Sequence, residues 1–295
     1  MGGTYKFSDQ FAGFIGLRGI YATNNYNGYV QDVSADYAYT INYDYTVPAN
    51  AQLGFPGTSG SGAQQGSGTQ DLSSNGLTLN ADQTGFGITP IIGLDWRPNE
   101  HWNLAAKFEA PTKLVLKNSS EMNDYANAQI AAGNATLAQF ADGAKVREDI
   151  PGLFTVGAQY SPVKSVRINA GFHEYLDKSA KKYGDKQDLI DHNTWEVNAG
   201  VEYDVCKYIT LSASYQVTQY GLSEAYMNDL SFNLSNSMIG AGLRINATDR
   251  CSIDLGYMHT FYGDRTITAA TAAGPKVDTY VRKNDVAAVG VNLAF

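Results

Sequence analysis

The sequence predicts an all-β fold, and within that class a transmembrane antiparallel up-and-down β-barrel with about ten strands present in this chain. Three observations carry that prediction. Ten segments alternate apolar and polar residues with period two, connections between them alternate short and long, and aromatic residues gather at both ends of the apolar face.

The strands are justified in chain order. Phe11 to Tyr21 opens the series, followed by Phe86 to Trp96, Trp102 to Ala110, Phe154 to Tyr160 and Val166 to Phe172. In the next, Trp195, Val197, Ala199, Val201 and Tyr203 interleave with Glu196, Asn198, Gly200 and Glu202. Ile209, Leu211, Ala213, Tyr215 and Val217 then alternate with Thr210, Ser212, Ser214, Gln216 and Thr218 without a lapse. Ile239 to Ile245, Ile253 to Tyr257 and Ala287 to Phe295 complete the set, the last ending in an aromatic residue. Arg18, Asp95, Lys107, Glu109, Arg167, Glu196, Glu202, Arg244 and Asp254 all fall on the face opposite the apolar one. A soluble sandwich would produce the same alternation, so periodicity alone does not choose between the two architectures.

The connections and the aromatic residues do. Arg97-Pro98-Asn99-Glu100, Ser161-Pro162-Val163-Lys164, Asp204-Val205-Cys206 and Ala247-Thr248-Asp249-Arg250 have tight-turn chemistry. Between them lie longer polar connections near 32–82, 118–148, 178–192, 221–233 and 268–278. Short turns at one rim and long loops at the other are how outer-membrane barrels are built. Trp96, Trp102, Tyr160 and Tyr203 flank the short turns, and Tyr21, Phe172, Tyr215 and Phe261 lie toward the long loops. Two such belts are expected where rings sit at lipid headgroups.

Composition narrows the function. A formal net charge of −8 argues against a nucleic-acid partner, which needs a basic face. No apolar run approaches the roughly 18 residues of a membrane-spanning helix. There is no Gly-x-Ser-x-Gly elbow and no phosphate-binding glycine loop, so no catalytic residue is assigned. His101, His173, His192 and His259 are scattered without metal-ligand spacing, so neither metal nor cofactor is expected. Cys206 and Cys251 are both expected to start strands at the short-turn rim with one strand between them, about two spacings of ~4.8 Å apart, and so to be free thiols. The start at Met1-Gly2-Gly3 has no secretory signal, and Tyr5 to Gln10 reads as the end of a strand and a turn, as if the chain enters in mid-hairpin.

Several motifs resemble those of the long-chain fatty-acid transporter family (FadL type). They are the hairpin Leu94-Asp95-Trp96-Arg97-Pro98-Asn99-Glu100-His101-Trp102-Asn103-Leu104, the segment Ile150-Pro151-Gly152-Leu153-Phe154-Thr155-Val156-Gly157, the run Cys251 to His259, and the ending Val289 to Phe295. The resemblance implies a fourteen-stranded barrel with an N-terminal plug, of which residues 1–295 are the C-terminal portion, a single barrel domain without the plug and first strands. It implies a multi-pass protein of the bacterial outer membrane, monomeric, in contact with membrane lipid and a hydrophobic small-molecule ligand. The implied function is passive, loop-captured transport of long-chain fatty acids or other hydrophobic compounds, without enzymatic chemistry; a general porin or structural barrel is the alternative. The connections near 32–82 and 118–148 would be the family's third and fourth outer loops, which form its capture groove.

Those two loops supply the candidate ligand contacts. Gly54 to Gly68 is Gly/Ser/Gln low complexity and reads as mobile loop, with Tyr43, Tyr45, Leu53 and Phe55 offering apolar contacts beside it. Asn118-Ser119-Ser120-Glu121 has the form of a capping box, followed by an Ala-rich helical segment broken at Gly133. Met122, Tyr125, Ile130, Leu137 and Phe140 would face a groove or pin the helices to the rim. Among the lumen residues Arg18, Lys107, Arg167 and Arg244 are candidates for holding a ligand carboxylate, set against a reading in which they fill the interior as ion pairs.

Overall fold

The structure is a computed structural model that describes residues 1–30, 34–49, 54, 56–71, 76–227, 232–248, 250–271 and 274–293. In chain order the elements are β1 (Gly2–Lys6), β2 (Phe11–Val30), β3 (Ser34–Val47), β4 (Thr58–Asp71), β5 (Leu77–Trp96), β6 (Trp102–Glu109), β7 (Val115–Met122), α1 (Asp124–Ala131), α2 (Ala135–Ala138) and β8 (Lys145–Arg147). There follow β9 (Leu153–Val163), β10 (Val166–Tyr175), β11 (Thr194–Cys206), β12 (Ile209–Gln219), β13 (Asn236–Thr248), β14 (Cys251–Tyr262), β15 (Arg265–Thr271), β16 (Gly274–Tyr280) and β17 (Asn284–Leu293).

The main sheet runs β1-β2-β5-β6-β9-β10-β11-β12-β13-β14-β17. Its neighbours follow chain order, and the described pairings are antiparallel, as an up-and-down barrel wall requires. All ten strands read from periodicity are present in this order, and β1 precedes them. Tight turns join β1 to β2, β5 to β6, β9 to β10, β11 to β12 and β13 to β14, and longer connections separate the pairs between. In an antiparallel sheet this alternation puts all the tight turns at one rim. Side chains build several of them: Ser8 Oγ accepts from the Gln10 and Phe11 amides, and Asn99 Oδ1 from those of His101 and Trp102.

The apolar face of this sheet is uncovered. Leu94 is 62% exposed, Leu211 47% and Val289 75%, and Ile15, Val201, Ile239 and Leu255 are exposed with them. A sandwich would bury these side chains against a second sheet, so the exposure decides for the barrel. Their continuity across neighbouring strands exceeds the scattered apolar contacts of an ordinary soluble surface. Trp96, Trp102 and Tyr203 near the tight turns, and Tyr21, Tyr215 and Phe261 at the other end, are exposed on the same face. Phe11 stacks on Trp96 at 5.6 Å and Trp102 tilts on Tyr160 at 4.7 Å, tying the belt across strands.

Contacts divide the chain into two compact units. The first comprises Met1–Ala22, Thr84–Leu116 and Lys145–Phe295, and holds most of the main sheet. Its connections are less polar in practice than their sequences suggest. Ile190, Leu222, Met227, Leu234 and Tyr280 form a buried cluster, with Tyr220, Tyr226, Phe232, Tyr262 and Ile267 packed round it. Three connections that each look polar thus share one small core, because each contributes only a few apolar residues.

The second unit comprises Thr23–Gln83 and Lys117–Ala144. Here the structure corrects two expectations. The Gly/Ser/Gln stretch read as mobile loop is largely strand β4, paired with β3 over its whole length. Tyr37, Tyr39, Tyr43 and Tyr45 stand opposite Gly68, Gly66, Gly62 and Gly60, and each ring occupies the space that a Cβ on its partner glycine would need. Aromatic cover of cross-strand glycine gives β4 the packing its own side chains lack. Asn118 to Glu121 lies in β7, not at a helix start, because β7 pairs with β5 and β8. The cap is Asn123, whose side chain accepts from the Ala126 amide. The expected break at Gly133 is present: α1 ends, Gly133 takes φ +92°, and Asn134 caps α2 through the Leu137 amide.

Both cysteines are free, as expected, although Cys206 ends β11 and two strands, rather than one, separate it from Cys251 at the start of β14.

Candidate functional site

Alternation sends the charged set of each strand to the face opposite the exposed apolar one, and register then decides which charges meet. Glu109, at the end of β6, is 7% exposed at its side chain and is gripped twice, by Arg18 at 2.7 Å and Lys107 at 2.7 Å. On β10, Arg167 stands opposite Glu202 of β11 and reaches past it to Asp204. Its Nε donates to Glu202 at 2.8 Å, and Nη1 and Nη2 donate to both Asp204 oxygens at 2.7 Å. The Thr210 hydroxyl adds a donor to Asp204 at 2.7 Å. Arg244 of β13 is directly opposite Asp254 of β14, with Nε 2.6 Å from Oδ1, and Asn292 of β17 donates to the other oxygen at 2.7 Å. Further along, Glu196 accepts from the Tyr175 and Thr218 hydroxyls.

Each of Arg18, Lys107, Arg167 and Arg244 is therefore already engaged by a carboxylate. The interior is a set of ion pairs, within β6 at Lys107–Glu109 and across strands at the others, and most of their side chains keep partial exposure. A hollow of about 620 Å³ is lined by Glu202, Ser212, Ser214, Met238, Arg244 and Asp254 among others. Among the described residues, no three His, Cys, Asp or Glu side chains gather as a metal site.

The outer-loop candidates lie in the second unit. Met122, Tyr125, Ile130, Leu137 and Phe140 are all half-buried along the α1–α2 segment. Phe140 meets Tyr26 of β2, ring centroids 5.0 Å apart, so Tyr26 joins the set although its own strand gave no reason to single it out. A polar chain anchors the segment. Gln83 donates to Asn118 Oδ1 at 3.0 Å, and the Asn118 side-chain amide donates to the carbonyls of Gln139 and Ala141 at 2.7 and 3.0 Å. Asn123 also donates to the Gly76 carbonyl at 2.6 Å. These half-buried apolar side chains sit on a backbone held by side-chain amides, an arrangement suited to weak apolar contact rather than to bond-making chemistry. Phe55, the remaining candidate, lies outside the described residues, as do Leu53 and the terminal Phe295.

In the first unit, Asp149 is buried and accepts from the Leu114 amide, while Arg147 holds it with two hydrogen bonds of 2.8 and 2.7 Å. Burial works to raise its pKa, but Arg147 and the backbone donors outweigh that and hold the carboxyl below its ordinary value. Leu114, Leu116 and Val146 form a buried cluster in the same unit, with Ile150 and Tyr183 against it.

An exposed apolar wall, a paired polar interior and alternating short and long connections define the class: an antiparallel up-and-down β-barrel of the transmembrane type. Comparison with solved structures carries this to a particular fold. The chain superposes on a FadL homologue of Pseudomonas aeruginosa with a TM-score of 0.55 at 16% identity, covering 98% of this chain and 64% of that one. It superposes on a deltaS2 mutant of TodX, a monoaromatic hydrocarbon channel, with a TM-score of 0.52 at 11% identity, covering 100% and 69%. The chain thus has the FadL-type barrel fold, in keeping with the resemblance of its motifs, and spans somewhat under two thirds of the length of the first of these proteins. No protein-family model matches the sequence, and no curated protein matches it.

Proposed function

We propose that this protein is an outer-membrane channel through which hydrophobic compounds diffuse passively into the cell. The observation that carries the reading is the uncovered apolar wall backed by an ion-paired polar interior, which is the arrangement of a chain solvated by hydrocarbon outside and water inside. The fold likeness to a FadL homologue and to a hydrocarbon channel supports it. In this account Met122, Tyr125, Ile130, Leu137, Phe140 and Tyr26 make the first apolar contacts, and the ligand then passes the barrel down its gradient.

The interior bears on the cargo. Long-chain fatty acids and uncharged hydrophobic molecules both fit an apolar entry. A fatty-acid carboxylate, however, meets Arg18, Lys107, Arg167 and Arg244 already neutralised, so it would give up hydration without gaining an unpaired cation. Uncharged compounds are the better fit. The experiment is uptake by a deletion strain carrying the gene or an empty vector, with radiolabelled toluene and oleate as probes. Restoration of toluene uptake above oleate uptake is expected; no restoration of either removes the proposal. A second reading, a general porin, is favoured by the half-exposed lumen and predicts large ion conductance in planar bilayers instead.

A further inference from the structure

The β3–β4 ribbon has an architecture outside the contact set of Met122, Tyr125, Ile130, Leu137, Phe140 and Tyr26. Tyr37, Tyr39, Tyr43 and Tyr45 lie on one of its faces with Ile41, and each remains about half exposed although its ring leans over β4. Tyr37 and Tyr39 are stacked at 6.1 Å. Glycine beneath the rings leaves one aromatic surface seated and the other open. Asp44 falls on the opposite face by alternation, so the tyrosine face itself bears no charge among these residues.

Two further facts point to what it takes. The unit holding the ribbon carries eight carboxylates and a single cation, Lys117, so −7 of the chain's −8 resides there. The ribbon is also a two-stranded sheet, with no further strand on the outer edge of either member among the described residues. Neither strand contains the lysine or proline with which proteins blunt such edges. Open aromatic faces inside a negative field bind guanidinium and ammonium groups by cation–π attraction. An extended peptide added to a sheet edge repeats its same-face side chains every ~6.8 Å, which is the repeat of alternate tyrosines on β3. Like charge disfavours a second copy of this chain at the same edge.

We infer that the outer edge of β4 binds an extended basic peptide whose arginines or lysines alternate, pairing along β4 and setting each cation over a tyrosine ring. This is independent of the transport reading. The test uses the full chain in detergent micelles and fluorescein-labelled peptides of about ten residues, one alternating arginine with threonine and one with the same arginines in a block. The alternating peptide should bind about tenfold more tightly at about 0.15 M salt, since bulk charge is equal and only the register differs. Tyr39→Ser with Tyr43→Ser should weaken it about fivefold or more while leaving the block isomer unchanged, and Tyr43→Phe should be neutral because the ring and not the hydroxyl is used. Gly62→Leu, which keeps every tyrosine and only lifts Tyr43 from its seat, is the second variant and should weaken the alternating peptide too. Heat-modifiable gel migration checks that each barrel is folded. Equal binding of the two isomers, indifference to the tyrosine and glycine changes, self-association in place of peptide binding, or saturable binding of maltoheptaose at this face would each overturn the inference.

Discussion

Arg167 clasps Asp204 with two hydrogen bonds of 2.7 Å, although its register partner on β11 is Glu202, two residues earlier. It holds Glu202 as well, through Nε at 2.8 Å. One guanidinium thus serves two carboxylates on the same face of one strand. Replacing Arg167 with Ala removes their shared cation and leaves Thr210 donating to Asp204. Because these groups are partly exposed, the expected loss is modest, about 1 kcal/mol. The guanidinium-chloride midpoint of the barrel in detergent measures it, and Arg167→Lys should recover only part, since a single ammonium cannot form the paired contact.

The two faces of β12 should respond oppositely to charge. Ala213→Arg places a cation on the exposed apolar wall, midway between the levels of Tyr203 and Tyr215, and should cost about 2–4 kcal/mol in a bilayer. Ser212→Arg, one residue earlier and facing the interior, should change stability by no more than about 1 kcal/mol. Unfolding titrations of the two variants in lipid vesicles check the difference.

Asp149 should make its surroundings acid-sensitive. Its folded pKa is depressed, so the stabilisation it gives is present above the unfolded value of 3.8 and is lost as pH falls through the lower folded value. Hydrogen exchange at the Leu114 amide, followed from pH 6 to about pH 2, should show protection falling in that window. Asp149→Asn should lower the protection at neutral pH and remove its pH dependence.

Phe140 and Tyr26 should act as a pair in ligand capture. Phe140→Ala is expected to raise the half-saturating toluene concentration for uptake about three- to tenfold, the range of one aromatic contact. Adding Tyr26→Ala to it should do little more. Uptake assays on the single and double variants give the comparison, with outer-membrane abundance measured alongside.

The barrel wall was legible because period two repeats in each of the ten segments read as strands and the charges within those segments keep to one face. What escaped was relational. Nothing local in Thr58 to Asp71 reads as strand, since glycine, serine and glutamine have little strand propensity. The usable signal was that glycines at alternate positions of β4 match tyrosines at alternate positions of β3. The capping-box form at Asn118 misled for the complementary reason: a local pattern was overridden by strand pairing with β8. Tyr26 with Phe140, and Gln83 with Asn118, join positions far apart in the chain, and no single segment announces them.

The most direct test labels the neighbouring positions Leu211 and Ser212, each changed singly to cysteine in a chain whose Cys206 and Cys251 are replaced by serine, with an environment-sensitive fluorophore in vesicles. Brominated acyl chains should quench the label at 211 and leave that at 212 untouched, with iodide in the water doing the reverse. Equal quenching of both by iodide, and of neither by bromolipid, would contradict a wall solvated by hydrocarbon.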